Sequence, residues 1–173
     1  MANFEAVWND LLRAEAPPPY MLIDCAGLER GEAQIPTDLF SEIECLFTGD
    51  LAEELADVGP YLGRVAGLGD SQAASVNDLL TSHVGLLVQM EKQETTFAEL
   101  HRHFRKFNVV YGPQNDPLFF RYYDPRVLAD VLRVMEPGQL VSFFGPVRSF
   151  LLADADGNLL RCFRHGTALV VET

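Results

Sequence analysis

The sequence has few cysteines and no long apolar run. Its three cysteines, Cys25, Cys45 and Cys162, are far apart and odd in number, and their spacing matches neither a zinc site nor a redox pair. We therefore expect reduced, mostly buried thiols in a cytosolic protein. No apolar run approaches the roughly 18 residues that a membrane-spanning helix needs. Residues 1–5 have neither a basic start nor an apolar block behind them. These absences predict a cytoplasmic protein without membrane insertion.

Motifs that carry catalysis or bind nucleotides are also missing. GLGDSQ lacks the third glycine of a dinucleotide loop, and no GxxxxGK[ST], GxSxG or SxxK run occurs. Four scattered histidines form no metal-ligand spacing. DADGN begins like a calcium loop, but position twelve counted from Asp154 is His165 rather than glutamate, so a turn is the better interpretation. We expect no catalytic, metal or cofactor site, with a cysteine nucleophile at Cys25 left as an open alternative.

The net charge of −12 is distributed unevenly along the chain. Residues 1–100 carry 18 acidic and 4 basic side chains, whereas residues 101–173 carry 7 acidic and 9 basic ones. The acidic first part would repel phosphates, so nucleic acid is not an expected partner. The same charge would attract a basic protein, and it is equally typical of a protein that is merely kept soluble.

Apolar residues at helical spacing, together with capping residues, predict helices at five places. These are residues 3–15, residues 50–58, a segment opened by Thr95 or Thr96, a segment opened by Asp124, and residues 138–144 as a short helix. Asp50 followed by Glu53 has the spacing of a capping box. Residues 37–47 have only weak helical or mixed character, and residues 67–80 suggest a flexible connection or a short helix.

Short aliphatic and aromatic runs predict the strands. They are residues 20–25, 83–90, 108–112, 117–123, 147–154, 158–165 and 168–173. DADGN is expected to turn the chain between two of these strands as a hairpin. The order of the elements predicts an α/β or α+β fold, with a mixed β-sheet flanked by helices in a single compact domain covering residues 1–173.

The stretch FFRYYDPRVLADVLRVM has the most strongly patterned junction in the chain. Asp124 is expected to cap a helix, with Pro125 at its first position. Arg121 is expected to alternate along a strand with Tyr123, and to pair with Asp124 or another acid. The charge of Arg126 lies near the positive end of the helix dipole, which indicates a carboxylate nearby. The junction is either structural or part of a partner-facing surface, since arginine and aromatic residues are enriched at interfaces.

Three segments in this order carry a resemblance to a known family: LFTGDLAEELADVGPYL, FAELHRHFRKFNVV and FRYYDPRVLADVLRVMEPGQLVSFFGPV. The sequence resembles the type VI secretion effector chaperones, also called adaptor proteins of the Tap/TEC type and long catalogued as a domain of unknown function. The resemblance covers about residues 20–152. Its motif positions are Pro60, Tyr61 and Leu62, the Arg121–Arg126 junction, and Phe144, Gly145 and Pro146.

The resemblance implies a non-enzymatic cytoplasmic protein that binds a toxic effector and helps to place it on the VgrG spike, without a nucleotide. It implies partner binding through Tyr61, Arg121, Tyr123, Arg126 and Phe144. It implies structural roles for Pro60, Leu62, Asp124, Pro125, Gly145 and Pro146. Several relatives continue into a C-terminal helical lobe, and the sequence up to Thr173 shows no such lobe.

Two other functions remain open from the residues alone. An immunity protein could neutralise a basic toxin through the acidic first part of the chain, with strong salt dependence. An undetected enzyme, such as a cysteine hydrolase, would depend on one of the three cysteines.

Overall fold

The computed structural model describes residues 3–13, 16, 18–36, 38–91 and 94–173. Within these residues the chain forms a seven-stranded sheet, a separate two-stranded hairpin and six α-helices. The strands are β1 (Tyr20–Asp24), β2 (Phe40–Cys45), β3 (Pro60–Val65), β4 (Gly85–Met90), β5 (Val109–Tyr111), β6 (Pro117–Phe119), β7 (Val147–Ala153), β8 (Leu159–His165) and β9 (Ala168–Glu172). The helices are α1 (Phe4–Arg13), α2 (Asp50–Leu55), α3 (Asp70–Thr81), α4 (Phe97–Arg105), α5 (Pro125–Val134) and α6 (Pro137–Phe144).

The large sheet has the strand order β2-β3-β1-β4-β7-β8-β9, and each of its six pairings is antiparallel. The predicted α/β class is therefore confirmed, while the strand directions differ from those of a mixed sheet. Strands β3 and β4 both pair with β1, so the β3-α3-β4 crossover spans a strand that lies between them. Strands β3 and β4 consequently run in the same direction without being adjacent.

Strand β1 separates two hydrophobic cores, because successive side chains of a strand point to opposite faces. Tyr20 and Leu22 face one core, and Met21 and Ile23 face the other; all four are buried. Helices α4, α5 and α6 cover the first face, whereas α1 and α3 cover the second. Asp24 is the last residue of β1 and is 1% exposed. Its carboxylate is therefore a buried charge that the surrounding residues must stabilise.

Two predicted helix starts are confirmed in detail. Thr96 and Glu99 form a reciprocal capping box at the start of α4, with Glu99 N 3.2 Å from Thr96 Oγ1 and Thr96 N 2.8 Å from Glu99 Oε2. Asp124 caps α5 and Pro125 occupies its first turn. Residues 138–144 belong to α6, which begins one residue earlier at Pro137. The predicted turn within DADGN is also confirmed, since Asp154 accepts hydrogen bonds from the backbone of Asp156 and Asn158.

Other predictions were wrong, and the reasons are local. The chain around Phe40–Cys45 is an edge strand whose middle residues are exposed, so its sequence lacks the apolar pattern of a buried strand. Helix α2 is capped by Gly49 without a side-chain hydrogen bond, so Asp50 is its first residue and the predicted capping box is absent there. Strand β3, which opens at Pro60, was not predicted. Of the two alternatives for residues 67–80, the helix is confirmed, as the 12-residue α3. Ala14 and Glu15, at the end of the helix predicted over residues 3–15, and Thr37, at the start of the segment 37–47, lie outside the described residues.

Strand β6 ends at Phe119, four residues earlier than predicted. The reason is Tyr122, which is fully buried and whose ring stacks at 5.8 Å on Phe104. Its hydroxyl donates to the carbonyl oxygen of Phe104 at 3.0 Å, a bond that keeps the phenol satisfied inside the core. Burying this ring requires the chain to leave the hairpin and turn inward. Arg121 and Tyr123 therefore do not lie on one face of a strand.

Candidate partner-binding surface

The predicted junction is a network of two arginines and two buried carboxylates. Arg121 donates to Asp24 Oδ2, and its guanidinium also lies 3.6 Å from Asp124 Oδ2. The Arg121 side chain is 47% exposed, whereas those of Asp24 and Asp124 are 2% and 5% exposed. The network therefore has a buried acidic side and a solvated basic side. It joins the end of β1 to the start of α5, which are far apart in the sequence.

Asp124 has two functions at the start of α5. Its Oδ1 accepts from the backbone nitrogen of Arg126 at 3.0 Å, which satisfies one of the unpaired N–H groups of the first turn. The Arg126 guanidinium also donates a hydrogen bond to each carboxylate oxygen, with Nε–Oδ1 and Nη2–Oδ2 distances of 3.0 and 2.9 Å. The predicted carboxylate partner of Arg126 is thus Asp124 itself.

These contacts shift the pKa values of the network in opposite directions. Burial alone would raise the pKa of Asp124, but its hydrogen bonds from Arg126 and the two nearby positive charges lower that pKa below its ordinary value. Burial opposes the charged form of Arg121, while the hydrogen bond and charge of Asp24 outweigh burial and raise the Arg121 pKa. Burial also raises the pKa of Tyr123, and the negative charge of Asp24 adds to that increase. The Asp124 carboxylate and the guanidinium groups of Arg121 and Arg126 are consequently charged in the neutral range, and the Tyr123 phenol is neutral.

Three residues expected on a partner-facing surface are in the core instead. Tyr61, Tyr123 and Phe144 are 8%, 7% and 0% exposed. Tyr61 points from β3 into the core that α1 and α3 cover, because it is flanked in the strand by residues of the opposite face. Tyr123 and Phe144 pack in the other core, where Phe144 meets Phe150 edge-on at 5.1 Å. Of the five predicted contact residues, Arg121 and Arg126 are the exposed ones.

The residues predicted to be structural occupy defined positions in the fold. Pro60 opens β3, and its carbonyl oxygen accepts from the backbone nitrogen of Leu46 at 2.8 Å. Leu62 is fully buried. Gly145 ends α6 with a positive φ of 46°, a conformation that strains other residues, and a Cβ there would collide with the His103 ring. The carbonyl oxygen of Pro146 accepts from Glu91 N at 3.0 Å.

Asn108 connects the small hairpin to the body of the protein. Its side-chain nitrogen donates to the carbonyl oxygen of Leu46 at 2.8 Å, and its Oδ1 accepts from the Tyr122 hydroxyl at 2.9 Å. Its backbone oxygen accepts from Phe120 N at 3.1 Å, which closes the base of the hairpin. Asn108 therefore links the start of the hairpin both to Leu46 and to residues 120–122. The sequence offered no sign of this, because Asn108 stands inside a run that was predicted as a strand.

The hairpin formed by β5 and β6 (residues 109–119) is the largest concentration of exposed apolar side chains in the described part of the chain. Each of its six strand residues is exposed, including Tyr111 at 68% and Phe119 at 64%. A cleft lies on each side of it. Contiguous exposed apolar surface of this kind is typical of sites that bind another protein.

We call the two clefts the basic cleft and the apolar cleft. The basic cleft, of about 370 Å³, lies between the start of α2, the last turn of α4 and the hairpin. It combines Phe119 and Val109 with the cations Arg102, Arg105 and Lys106. The apolar cleft, of about 410 Å³, lies between the hairpin and helices α5 and α6. Its lining includes Tyr111, Val134, Met135 and Phe143.

Two histidines and two cysteines hold structural positions. His101 Nε2 is 2.8 Å from the carbonyl oxygen of Cys45, and His103 Nε2 is 2.8 Å from that of Phe143. Burial lowers the pKa of His103. Cys25 and Cys162 are buried, and burial raises the pKa of the Cys162 thiol to about 11. A buried thiol of high pKa is a poor nucleophile.

The described residues contain no group of three or more histidine, cysteine or acidic side chains that could hold a metal ion. Among the helices that the structure describes, none has the length and apolar character needed to cross a bilayer.

Comparison with known proteins places the chain in a family. No curated protein and no solved structure matches it. The family model described as "Domain of unknown function (DUF4123)" matches residues 19–142, a span that includes the Arg121–Arg126 junction and the hairpin. That family is associated with type VI secretion, as a family of effector chaperones and adaptors. Because the match extends over more than half of its length, the chain belongs to the DUF4123 family.

Proposed function

We propose that this protein is a non-enzymatic chaperone and adaptor that binds a toxic effector in the bacterial cytoplasm and delivers it to a VgrG-type spike for type VI secretion. The observation that carries the proposal is the family match over residues 19–142. The resemblance of the ordered motifs around Pro60, Arg121 and Phe144 to the effector chaperones supports the same function.

The exposed hairpin supports a binding role. A solvated pair of short strands with Tyr111 and Phe119 on its surface has little to gain from folding alone, since two-stranded hairpins are marginally stable in water. An effector segment that covers these side chains would remove apolar area from water on both partners. The effector would then stay soluble until the spike provides a better-matched surface.

The arginine–aspartate network supports the role indirectly. It fixes the start of α5 against β1, and α5 forms one wall of the apolar cleft. A wall that does not rearrange lowers the entropic cost of ordering the interface. We assign Arg121 and Asp124 to this positioning role. We assign Arg126 both to the network and, because its side chain is exposed, to contact with the effector.

The test is recovery of partners from the native cytoplasm. The tagged protein is isolated at moderate salt, its partners are identified by mass spectrometry, and the complex is passed over a gel-filtration column. We expect a secreted effector in a stable complex, and we expect purified VgrG-type spike protein to bind that complex or take the effector from it. No effector in the complex, or a toxin that is merely inhibited and never joins a spike, would contradict the proposal. The second result would favour an immunity function.

A matched pair of variants shows whether capture uses the hairpin. Tyr111→Ser with Phe119→Ser removes the two most exposed hairpin aromatics, and Leu12→Ser with Val58→Ser removes apolar side chains that are 46% and 41% exposed elsewhere. We expect the hairpin variant to lose the effector and the control to keep it. Equal capture by both would place the binding surface elsewhere.

A further inference from the structure

The basic cleft is a small positive region on an acidic protein. Its three cations come from the last turn of α4 and the residue after it: Arg102, Arg105 and Lys106. All three are exposed. Within the described part of the chain, no carboxylate oxygen lies within 4.0 Å of any of them, whereas most other arginines of the second half have an acidic partner at that distance. These charges can therefore accept an external anionic group without breaking an ion pair.

Apolar side chains lie directly beside the cations. Val109 and Phe119 face each other across the hairpin as a cross-strand pair, and both line the basic cleft. Phe47 and Leu51 line it from the opposite wall and are half-buried. The cleft consequently has an apolar floor with a basic edge, a combination suited to a ligand that is itself amphipathic.

The cleft is held open by hydrogen bonds between its walls. Arg105 Nη2 donates to Thr48 Oγ1 at 3.0 Å, which joins α4 to the segment before α2. Asn108 joins the base of the hairpin to Leu46 on the same side. The walls are thus connected at two points, so little ordering is needed when a ligand enters.

The overall charge limits what that ligand can be. A net charge of −12 repels a large acidic domain at long range, and it disfavours nucleic acid for the same reason. The described residues that line the basic cleft include three cations and no carboxylate, so they attract an anion at distances shorter than a Debye length of about 8 Å. A short acidic segment would meet mainly the local positive charge, and its apolar residues would contact Phe119 and its neighbours.

We infer that the basic cleft binds a short acidic amphipathic segment of a partner protein. Carboxylates of that segment contact Arg102, Arg105 and Lys106, and its apolar side chains cover Val109 and Phe119. In the context of the proposed function, on which this identification of the partner rests, the segment belongs to the effector. The cleft would then select its cargo by charge pattern as well as by apolar surface.

Fluorescence polarisation with a synthetic probe tests this inference. The probe is a fluorescein-labelled peptide of Glu, Leu and Ala with the apolar residues at helical spacing. Two comparison peptides replace each Glu by Lys or each Leu by Ser. A fluorescein-labelled poly-thymidine strand tests nucleic acid. We expect saturable binding of the acidic amphipathic peptide, at least about tenfold tighter than that of either comparison peptide. Each exposed charge contact contributes modestly, and three such contacts together correspond to about a tenfold change in affinity. Equal binding of the Lys peptide, or tighter binding of the nucleic acid, would overturn the inference.

Matched variants locate the binding on the cleft. Arg102→Glu, Arg105→Glu and Lys106→Glu together reverse the edge, and Arg30→Glu, Arg133→Glu and Arg148→Glu make the same change of net charge at exposed positions outside the basic cleft. We expect about tenfold or greater weakening in the first variant only. Because the cations also stabilise the end of α4, the neutral set Arg102→Gln, Arg105→Gln and Lys106→Gln is measured too, with thermal unfolding to confirm its fold.

The apolar floor has its own control within the hairpin. Phe119→Ser should weaken peptide binding. Leu118→Ser changes the preceding residue, which does not line the basic cleft and points to the other face of the hairpin. Equal effects of the two substitutions on peptide binding would overturn the inference.

The proposed function and the inference about the basic cleft can be refuted independently of each other. Peptide binding without effector capture would refute the chaperone role alone, while effector capture without specific peptide binding would refute the basic cleft as its site.

Discussion

Arg121 donates a hydrogen bond to Asp24, which lies 97 positions earlier in the chain, and thereby ties the start of α5 to the end of β1. Asp24 is buried and Arg121 is half-exposed, so the pair compensates a charge that would otherwise be isolated inside the protein.

Removal of Arg121 should destabilise the protein strongly. Arg121→Ala leaves Asp24 buried with a charge that has lost its main partner, and we expect a loss of about 2 kcal/mol in the free energy of unfolding, less than for a fully buried pair because Arg121 is 47% exposed. Arg133→Ala is the control, since its partner Asp130 is 82% exposed, and it should cost no more than about 0.5 kcal/mol. Urea unfolding measures both. Equal losses would show that the Asp24 contact contributes little.

Asp124→Ala should cost more than an ordinary helix cap. Loss of a cap alone is worth on the order of 1 kcal/mol, and the bidentate contact with Arg126 is lost as well. We expect about 2–3 kcal/mol in the same unfolding experiment. Thr96→Ala removes the cap of α4, where no bidentate arginine contact is lost, and should lower the free energy of unfolding by about 1 kcal/mol. If Asp124→Ala lowers the free energy of unfolding no more than Thr96→Ala does, the bidentate contact with Arg126 does not contribute to stability.

The ionised carboxylate of Asp124 should make stability depend on pH in the acidic range. Its pKa is lower in the folded protein than the usual value of 3.8. The charged form therefore adds stability above the unfolded pKa, and this contribution is lost as the pH falls through the folded pKa. Asp124→Asn keeps a good capping residue and removes the charge. The difference in unfolding free energy between the native protein and this variant should be constant from about pH 7 to about pH 5 and shrink below about pH 4.

Other acids should not obscure that result. Glu99 and Asp154 also have lowered pKa values, and both titrate in the native protein and in the Asp124→Asn variant alike. Their contributions cancel in the difference. A difference that stays unchanged to strongly acidic pH would show that the charge of Asp124 is not stabilising.

The turn after α6 should tolerate no side chain at Gly145. Alanine there would keep a φ of 46° and place its Cβ against the His103 ring, so we expect Gly145→Ala to cost about 2 kcal/mol or more. Gly138 is the control, because a Cβ there meets nothing within 4 Å and lies in the first turn of α6. Gly138→Ala should be neutral or stabilising by up to about 1 kcal/mol. Thermal unfolding of the two variants measures this contrast, which a similar loss in both would refute.

Asn108→Ala should loosen the hairpin as well as destabilise the core. It removes the donor to Leu46 and leaves the buried Tyr122 hydroxyl with one acceptor fewer, at a cost of about 1–3 kcal/mol. Amide hydrogen exchange of residues 109–119 should accelerate more than that of β4 or β7, because the hairpin would open locally. Asn77→Ala on α3 is a control at a half-buried asparagine. A uniform increase in exchange across the protein would show that Asn108 stabilises the whole fold equally.

Local signals predicted most of the elements correctly. Thr96 with Glu99 and Asp124 with Pro125 are signals that act within a few residues, so they could be recognised without knowledge of the rest of the molecule. Residues 147–173 were likewise predictable as strands, because short aliphatic and aromatic runs separated by turn residues define them. Strand β2 was missed because its exposed edge gives it the composition of a surface segment.

The α/β class, the starts of α4 and α5, the acidic character of the first hundred residues and the resemblance to the family could all be predicted from the amino-acid sequence. These depend on composition, on period and on contacts between residues close in the chain. Three features could not be predicted before the fold was known: the burial of Tyr61, Tyr123 and Phe144, the pairing of Asp24 with Arg121, and the position of the hairpin between a basic and an apolar cleft. Burial and ion pairing depend on which distant segments of the chain come into contact. Asp24 and Arg121 become neighbours only once the sheet and α5 have packed together.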